Sequence, residues 1–205
     1  MRRTKKRLWL LGVGTVLLAM VTSLILISQQ RSAATVPDNA LPQPGGDRTA
    51  RGAYALIVQW AESWAEDATL VNVSASMVKE ENQGGLWSFL VYSAKQGKLA
   101  VIAVRGAELI ILREQAALYP QNSIDLGRWK LDSNEIISQW WQERGQTIWS
   151  APTAQSLHVR LGVGRTGIPC WQITVLDTEG DLLAFWEAQA DTGERVSDRV
   201  QGEQQ

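Results

Sequence analysis

One cysteine and one histidine in 205 residues exclude several kinds of chemistry at once. Cys170 has no second cysteine for an internal disulfide, so it reads as a buried thiol or an intermolecular bond. His158 stands alone, which removes multi-histidine metal centres and the paired-histidine helix of metalloproteases. A Cys170/His158 nucleophile pair is conceivable on one sheet face. However, the thiol would lie on a strand, away from any helix N-terminus that lowers its pKa, and no oxyanion donors accompany it. Excess positive charge is missing too. Five of the 20 Lys and Arg precede residue 8, leaving 15 against 21 Asp and Glu, a net charge of −6 that argues against nucleic acid as a partner.

Motifs that suggest a cofactor fail on context. Gly162-Val163-Gly164-Arg165-Thr166-Gly167 has dinucleotide-fingerprint spacing, but Pro169 and an alternating strand follow where a helix is required, so a hairpin turn is expected. Asp177, Glu179 and Asp181 surround Gly180, yet the calcium-loop pattern fails at Leu182 and Ala188, and a solvated turn accounts for them. No catalytic set, cofactor or metal is therefore expected. Asn72-Val73-Ser74 fits the glycosylation triplet, which is common by chance.

The chain also has one long uncharged run. Leu8–Ile27 is long enough, at about 1.5 Å per residue, to cross a hydrocarbon core of about 30 Å. The basic leader 1–7 precedes it, and only Arg31 falls in the twenty residues after it. The positive-inside rule then leaves the N-terminus cytoplasmic and the rest outside, as in a single-pass protein of a bacterial cell envelope. A cleavable signal peptide is the rival reading, although its apolar core is usually about 7 to 15 residues. Residues 28–48, with three prolines and a glycine pair, read as a flexible linker spanning roughly 25 Å. Residues 198–205 read as a polar tail.

Between linker and tail the chain repeats itself in order. Gln59-Trp60 recurs as Gln139-Trp140, and Trp87, Val91, Gly97 and Ala100 recur as Trp171, Val175, Gly180 and Ala184. Leu56, Ile57, Trp60 and Trp64 share a helical face, echoed by Ile136, Ile137 and Trp140. Asp132 and Glu135 make a capping box for a helix over about 133–144. Strands are expected at 69–78, 86–94, 98–105 and 108–113, then at 156–163, 169–177 and 181–189. If 156–163 and 169–177 pair with partner numbers summing near 330, Leu157, Val159, Leu161, Trp171, Ile173 and Val175 share an apolar face, opposite His158, Arg160, Cys170, Gln172 and Thr174. The expected fold class is α+β, with two tandem units at 49–131 and 132–197, each a helix packed on an antiparallel meander.

Residues Trp171–Val196, WQITVLDTEGDLLAFWEAQADTGERV, resemble the C-terminal part of a PepSY-type domain, including its Asp-x-x-x-Gly-like ending at Ala190-Asp191-Thr192-Gly193-Glu194. WSFLVYSAKQGKLAVIAVRGAEL resembles it more weakly, with Gly106 and Glu108 in place of that ending. The resemblance implies a small helix-plus-sheet module, often exported or tethered, that binds, regulates or inhibits peptidases.

Ten tryptophans are the compositional excess, and nine follow the apolar run. Trp60, Trp64, Trp87, Trp140, Trp171 and Trp186 fall on apolar faces and are expected in the core. Trp141, beside an already buried Trp140, is expected to project with Trp129 or Trp149 as an aromatic surface for a partner, unless all three pack between the units. These features give a non-enzymatic, membrane-anchored module that binds an envelope protein or peptide. The alternatives are a cell-wall or carbohydrate binder using exposed Trp, and a hydrolase of unrecognised type.

Overall fold

The computed structural model describes residues 41–80 and 85–201. The leader 1–7, the apolar run 8–27 and the linker up to residue 40 lie outside the described residues. Among those described, no helix is long and apolar enough to cross a membrane.

The elements run α1 (Ala50–Trp64), β1 (Thr69–Val78), β2 (Trp87–Ser93), β3 (Lys98–Arg105), β4 (Glu108–Ala116), α2 (Ser133–Trp140), a π-helical turn (Trp141–Gly145), α3 (Gln146–Ser150), β5 (Ala154–Val163), β6 (Pro169–Asp177), β7 (Leu182–Gln189) and β8 (Arg195–Val200). All eight strands form one antiparallel sheet in the order β4-β3-β2-β1-β5-β6-β7-β8. This corrects the expected fold class. Two separate helix-on-sheet units are replaced by one sheet, because β1 and β5 pair directly from Val73↔Leu161 to Val78↔Ser156. Pairing the two leading strands leaves neither meander with a free inner edge and lets one hydrophobic core run across the junction.

That core explains the sheet's polarity. Val73, Phe89, Ile102, Leu157, Ile173 and Trp186 point to one face, and they share a single buried cluster with Ala53 and Ile57 of α1, Ile136 and Trp140 of α2, and Trp149 of α3. The helices α1–α3 therefore cover one face, and among the described residues no helix covers the other. The β5–β6 hairpin has the anticipated faces, with a partner sum of 332 in Leu157↔Val175 and Leu161↔Trp171. An even displacement of two preserves side-chain parity.

Helix starts are well specified. Thr49 caps α1, its hydroxyl accepting from Gly52 N. Asp132 and Glu135 form the expected capping box at α2. Asp132 Oδ1 accepts from Ser133 N and also from Arg51 N at 3.1 Å, while Ser133 Oγ accepts from Ala50 N at 2.9 Å. One dipeptide thus satisfies amides at the N-termini of both helices, groups that otherwise have no intrahelical partner.

Counted from the N-caps, Trp140 occupies the place of Ile57, and Trp60 that of Glu143. The recurrent Gln-Trp pair is therefore one turn out of structural register. The second helix also departs from a continuous 133–144, passing into the π turn at Trp141 and on through α3. Gly145 makes room for this, since a Cβ there would lie 2.6 Å from the Trp140 ring. Residues 41–48, at the end of the segment read as linker, instead form a packed strap with Pro42, Pro44 and Gly45 buried. β8 extends to Val200, beyond the boundary set at 197.

Candidate interaction face

The helix-free face is built by every second strand residue, and the register fixes its rows. One row runs Ile110, Ala103, Ser88, Ser74, Arg160, Gln172, Glu187, Ser197. The next runs Ser76, His158, Thr174, Phe185, Arg199. Over β5–β8 the face is mainly polar, with Phe185 as its large apolar side chain, and Gln172 Nε2 donates to Glu187 Oε1 at 2.8 Å. Over β2–β4 its centre is aliphatic, with Leu90, Val101 and Ile110 half-buried, and Arg105, Glu108 and Arg113 stand at its margin. None of these side chains belongs to the core cluster beneath the helices. The result is a broad surface, apolar in one half and polar in the other, on a rigid sheet.

Cys170 and His158 do share this face, as expected, but they do not meet. Cys170 opposes Gly162 and His158 opposes Thr174, so the two are separated by the Arg160–Gln172 rung. His158 Nε2 lies 3.2 Å from Ser156 Oγ, and desolvation holds its pKa below the usual value. Burial pushes the Cys170 thiol up to about 11, reinforced by the carboxylates of Glu187 and Asp191. A thiol so protonated, its Sγ directed at the Ile168 carbonyl, is the opposite of an activated nucleophile.

The other flagged motifs are turns. Gly164 N donates to Ile168 O and Gly167 N to Gly164 O, with Gly167 at φ +79°, so the glycine string closes the β5–β6 hairpin. Asp177 Oδ1 accepts from the amides of Glu179 and Asp181 and orders the β6–β7 turn. Among the described residues, no group of three or more His, Cys, Asp or Glu is placed to hold a metal.

The expected aromatic surface is not assembled. Trp129 is 2% exposed and Trp149 6%, while Trp141 is half-buried against the core, its ring set edge-on to Trp140 at 6.1 Å. Trp129 instead fills the space between α1 and β6, contacting Tyr54 and Trp171, with the Arg51 guanidinium over its ring. Lys79 lies 5.7 Å from the Trp149 ring centroid, and its Nζ donates to the carbonyls of Trp149 and Ala151. These contacts are long-range, so local periodicity could not reveal them.

The Asp191–Glu194 ending is a clasp. Arg128 Nε and Nη2 both donate to Asp191 Oδ2, at 3.0 and 2.7 Å, and the guanidinium holds that carboxyl below the usual range. Lys130 N and Leu131 N donate to Ala190 O, and Gln139 Nε2 to Gly193 O. The turn thus pins the chain entering α2 to the end of β7.

No family model matches the chain, and neither a curated protein nor a solved structure shows significant similarity to it.

Proposed function

We propose that this protein is a non-catalytic, membrane-anchored module on the extracytoplasmic side that binds and regulates another envelope protein, a peptidase in the sharper form of the reading. The observation carrying the proposal is the helix-free sheet face, on which an aliphatic half adjoins a polar half that includes Arg160, Gln172 and Glu187. Such a mixed surface resembles a protein interface, where apolar contact gives affinity and the polar part gives specificity. A rigid sheet also presents it at little ordering cost.

The anchoring half of the proposal rests on Leu8–Ile27 and the basic leader. The peptidase half rests on the resemblance of Trp171–Val196 to PepSY-type domains. A non-catalytic role is favoured by the separation of Cys170 from His158 and by the raised thiol pKa. Burial of Trp129 and Trp149 takes support from the carbohydrate reading.

The test is a photo-crosslinking amino acid at Ser74, in the centre of the face, and another at Gln59 on the exposed side of α1, both in the full chain in its native membrane. The expected result is a discrete adduct from position 74 that is absent from position 59 and lost on Arg160→Glu. Equal adducts from both positions, or none from position 74, would overturn the assignment.

A further inference from the structure

The two edge strands of the sheet, β4 and β8, carry different side chains at equivalent positions. Ile111 pairs with Ile102, which pairs with Phe89, two residues after Trp87. Asp198 pairs with Trp186, which pairs with Ile173, two residues after Trp171. Ile111 and Asp198 are therefore equivalent, and by the same path Leu109 corresponds to Arg195.

In the second half this position is closed by charge. Arg144 reaches Asp198 at 3.1 Å, and Arg195 lies 3.5 Å from Asp198 and 3.8 Å from Glu143. The edge strand β8 is thus tied to the π turn above it and carries charged side chains, a common protection against edge pairing. In the first half, Trp60 and Ala61 stand in the places of Glu143 and Arg144, while Leu109 and Ile111 stand in those of Arg195 and Asp198. Ile111 is 49% exposed and its neighbour Leu112 52%. Helical spacing sets Leu56 and Trp60 on the flank of α1 opposite Tyr54, whose ring meets Trp129 and through it Trp171 of β6, so this flank is the one on the β4 side of the sheet. Leu56 is 37% exposed and Trp60 is half-buried against Trp64. Among the described residues, an apolar helix flank and an apolar edge strand are thus partly exposed side by side.

We infer that β4 is a homodimer interface, occupied by β4 of a second copy in antiparallel register about Ile110. A two-fold axis perpendicular to a continuous sheet requires partner numbers with an even sum, so that paired side chains share a face. Centring on Ile110 gives the apolar rungs Leu109 with Ile111, Ile110 with Ile110, and Ile111 with Leu109. All fall in the regular stretch Glu108–Ile111, before the bulge that leaves Leu112 unpaired with β3. Glu108 and Arg113 both oppose helix-free-face residues of β3, Arg105 and Val101. Across the axis, Glu108 of one copy meets the Leu112–Arg113 bulge of the other, giving two opposite-charge contacts that bracket the apolar rungs. This complementarity selects a second copy over an arbitrary strand. The leading Leu109 and Ile111 of that copy would lie under the open flank of α1. The inference does not rest on the partner reading: it uses the unpaired backbone edge of β4, at the margin of the helix-free face where Ile110, Glu108 and Arg113 lie.

The test uses the full chain in membrane vesicles. Ile110→Cys is expected to give a reducible covalent dimer on mild oxidation, whereas Val196→Cys on β8 gives at least tenfold less. Glu108→Arg and Arg113→Glu, each combined with Ile110→Cys, are expected to cut the dimer severalfold, and the two together to restore it. Restoration separates lost pairing from misfolding. Equal yield at the two edges, or single charge reversals without effect, would overturn the inference.

Discussion

Trp87 and Trp171 meet edge to face across the middle of the sheet, ring centroids 6.5 Å apart, and each ties a helix entrance to its own meander. Trp87 Nε1 donates to Arg48 O at 2.8 Å and Trp171 Nε1 to Leu131 O at 3.0 Å, each acceptor immediately preceding an N-cap. Replacing either indole by Phe removes the donor, leaves a part-buried carbonyl unpaired and opens space in the core. Each Trp→Phe variant should lose about 2 to 4 kcal/mol of stability by denaturant unfolding. Because the rings touch, the double variant should depart from additivity by about 0.5 kcal/mol or more. Additive losses would mean that the two halves behave as independent modules.

Asp132 should matter to both helices. Its carboxylate caps α2 and also receives the Arg51 amide of α1. Asp132→Ala should cost more than Thr49→Ala, which removes one cap worth roughly 0.5 to 2 kcal/mol. Asp132→Asn keeps an acceptor and should recover most of the difference. Thermal unfolding of the three variants gives the ordering directly.

Some of this architecture was legible in the sequence because it depends on local periodicity. The capping box at Asp132, the two faces of the β5–β6 hairpin and the turn nature of residues 162–167 follow from short-range rules. What escaped depends on distant pairing. The β1–β5 junction joins strands about eighty residues apart and merges two expected units into one sheet. β8 was hidden in a polar sequence because its Asp198 and Arg195 are used for edge protection instead of burial. For the candidate surface, the common face of Cys170 and His158 was legible, but their separation depended on a two-residue displacement in register. Trp129 and Trp149 show the same limit, since their burial depends on Tyr54, Trp171 and Lys79.

Gly45 lies so close to the Trp87 indole that a Cβ there would run into Nε1 and Cε2 of the ring. Gly45→Ala should therefore lift the strap at residues 41–48 without abolishing the sheet. The expected signs are a red-shifted Trp emission component and faster proteolysis in 41–48, with the main unfolding transition retained. An unchanged cleavage rate would mean that the strap contributes nothing to covering Trp87.

Cys170 is 3% exposed, and Gly164 lies over it so closely that a Cβ there would approach Sγ to 2.9 Å. With its pKa pushed up to about 11, the thiol should resist alkylation at pH 8 in the folded protein and react promptly in denaturant. Rapid native labelling, followed by mass spectrometry, would contradict this burial.

Stability should fall toward acid in two stages, the first set by His158 and the second by carboxylates. His158 has its folded pKa below 6.5, so the folded state binds its proton less readily than the unfolded state. The associated stability is intact above pH 6.5 and declines as pH drops through that value toward the folded pKa. Asp67 is depressed chiefly by the Ser93 hydroxyl, 2.6 Å from Oδ1, with help from the Lys95 amide, and Asp191 chiefly by Arg128. These carboxylates contribute above their unfolded values near 4 and lose that contribution as pH falls below them. Denaturant midpoints from pH 8 to pH 3 should therefore show a shallow decline below about 6.5 and a steeper one below about 4. His158→Gln should remove the first stage alone, and Arg128→Met should reduce the second. A first stage that survives His158→Gln would assign the near-neutral titration to some other group.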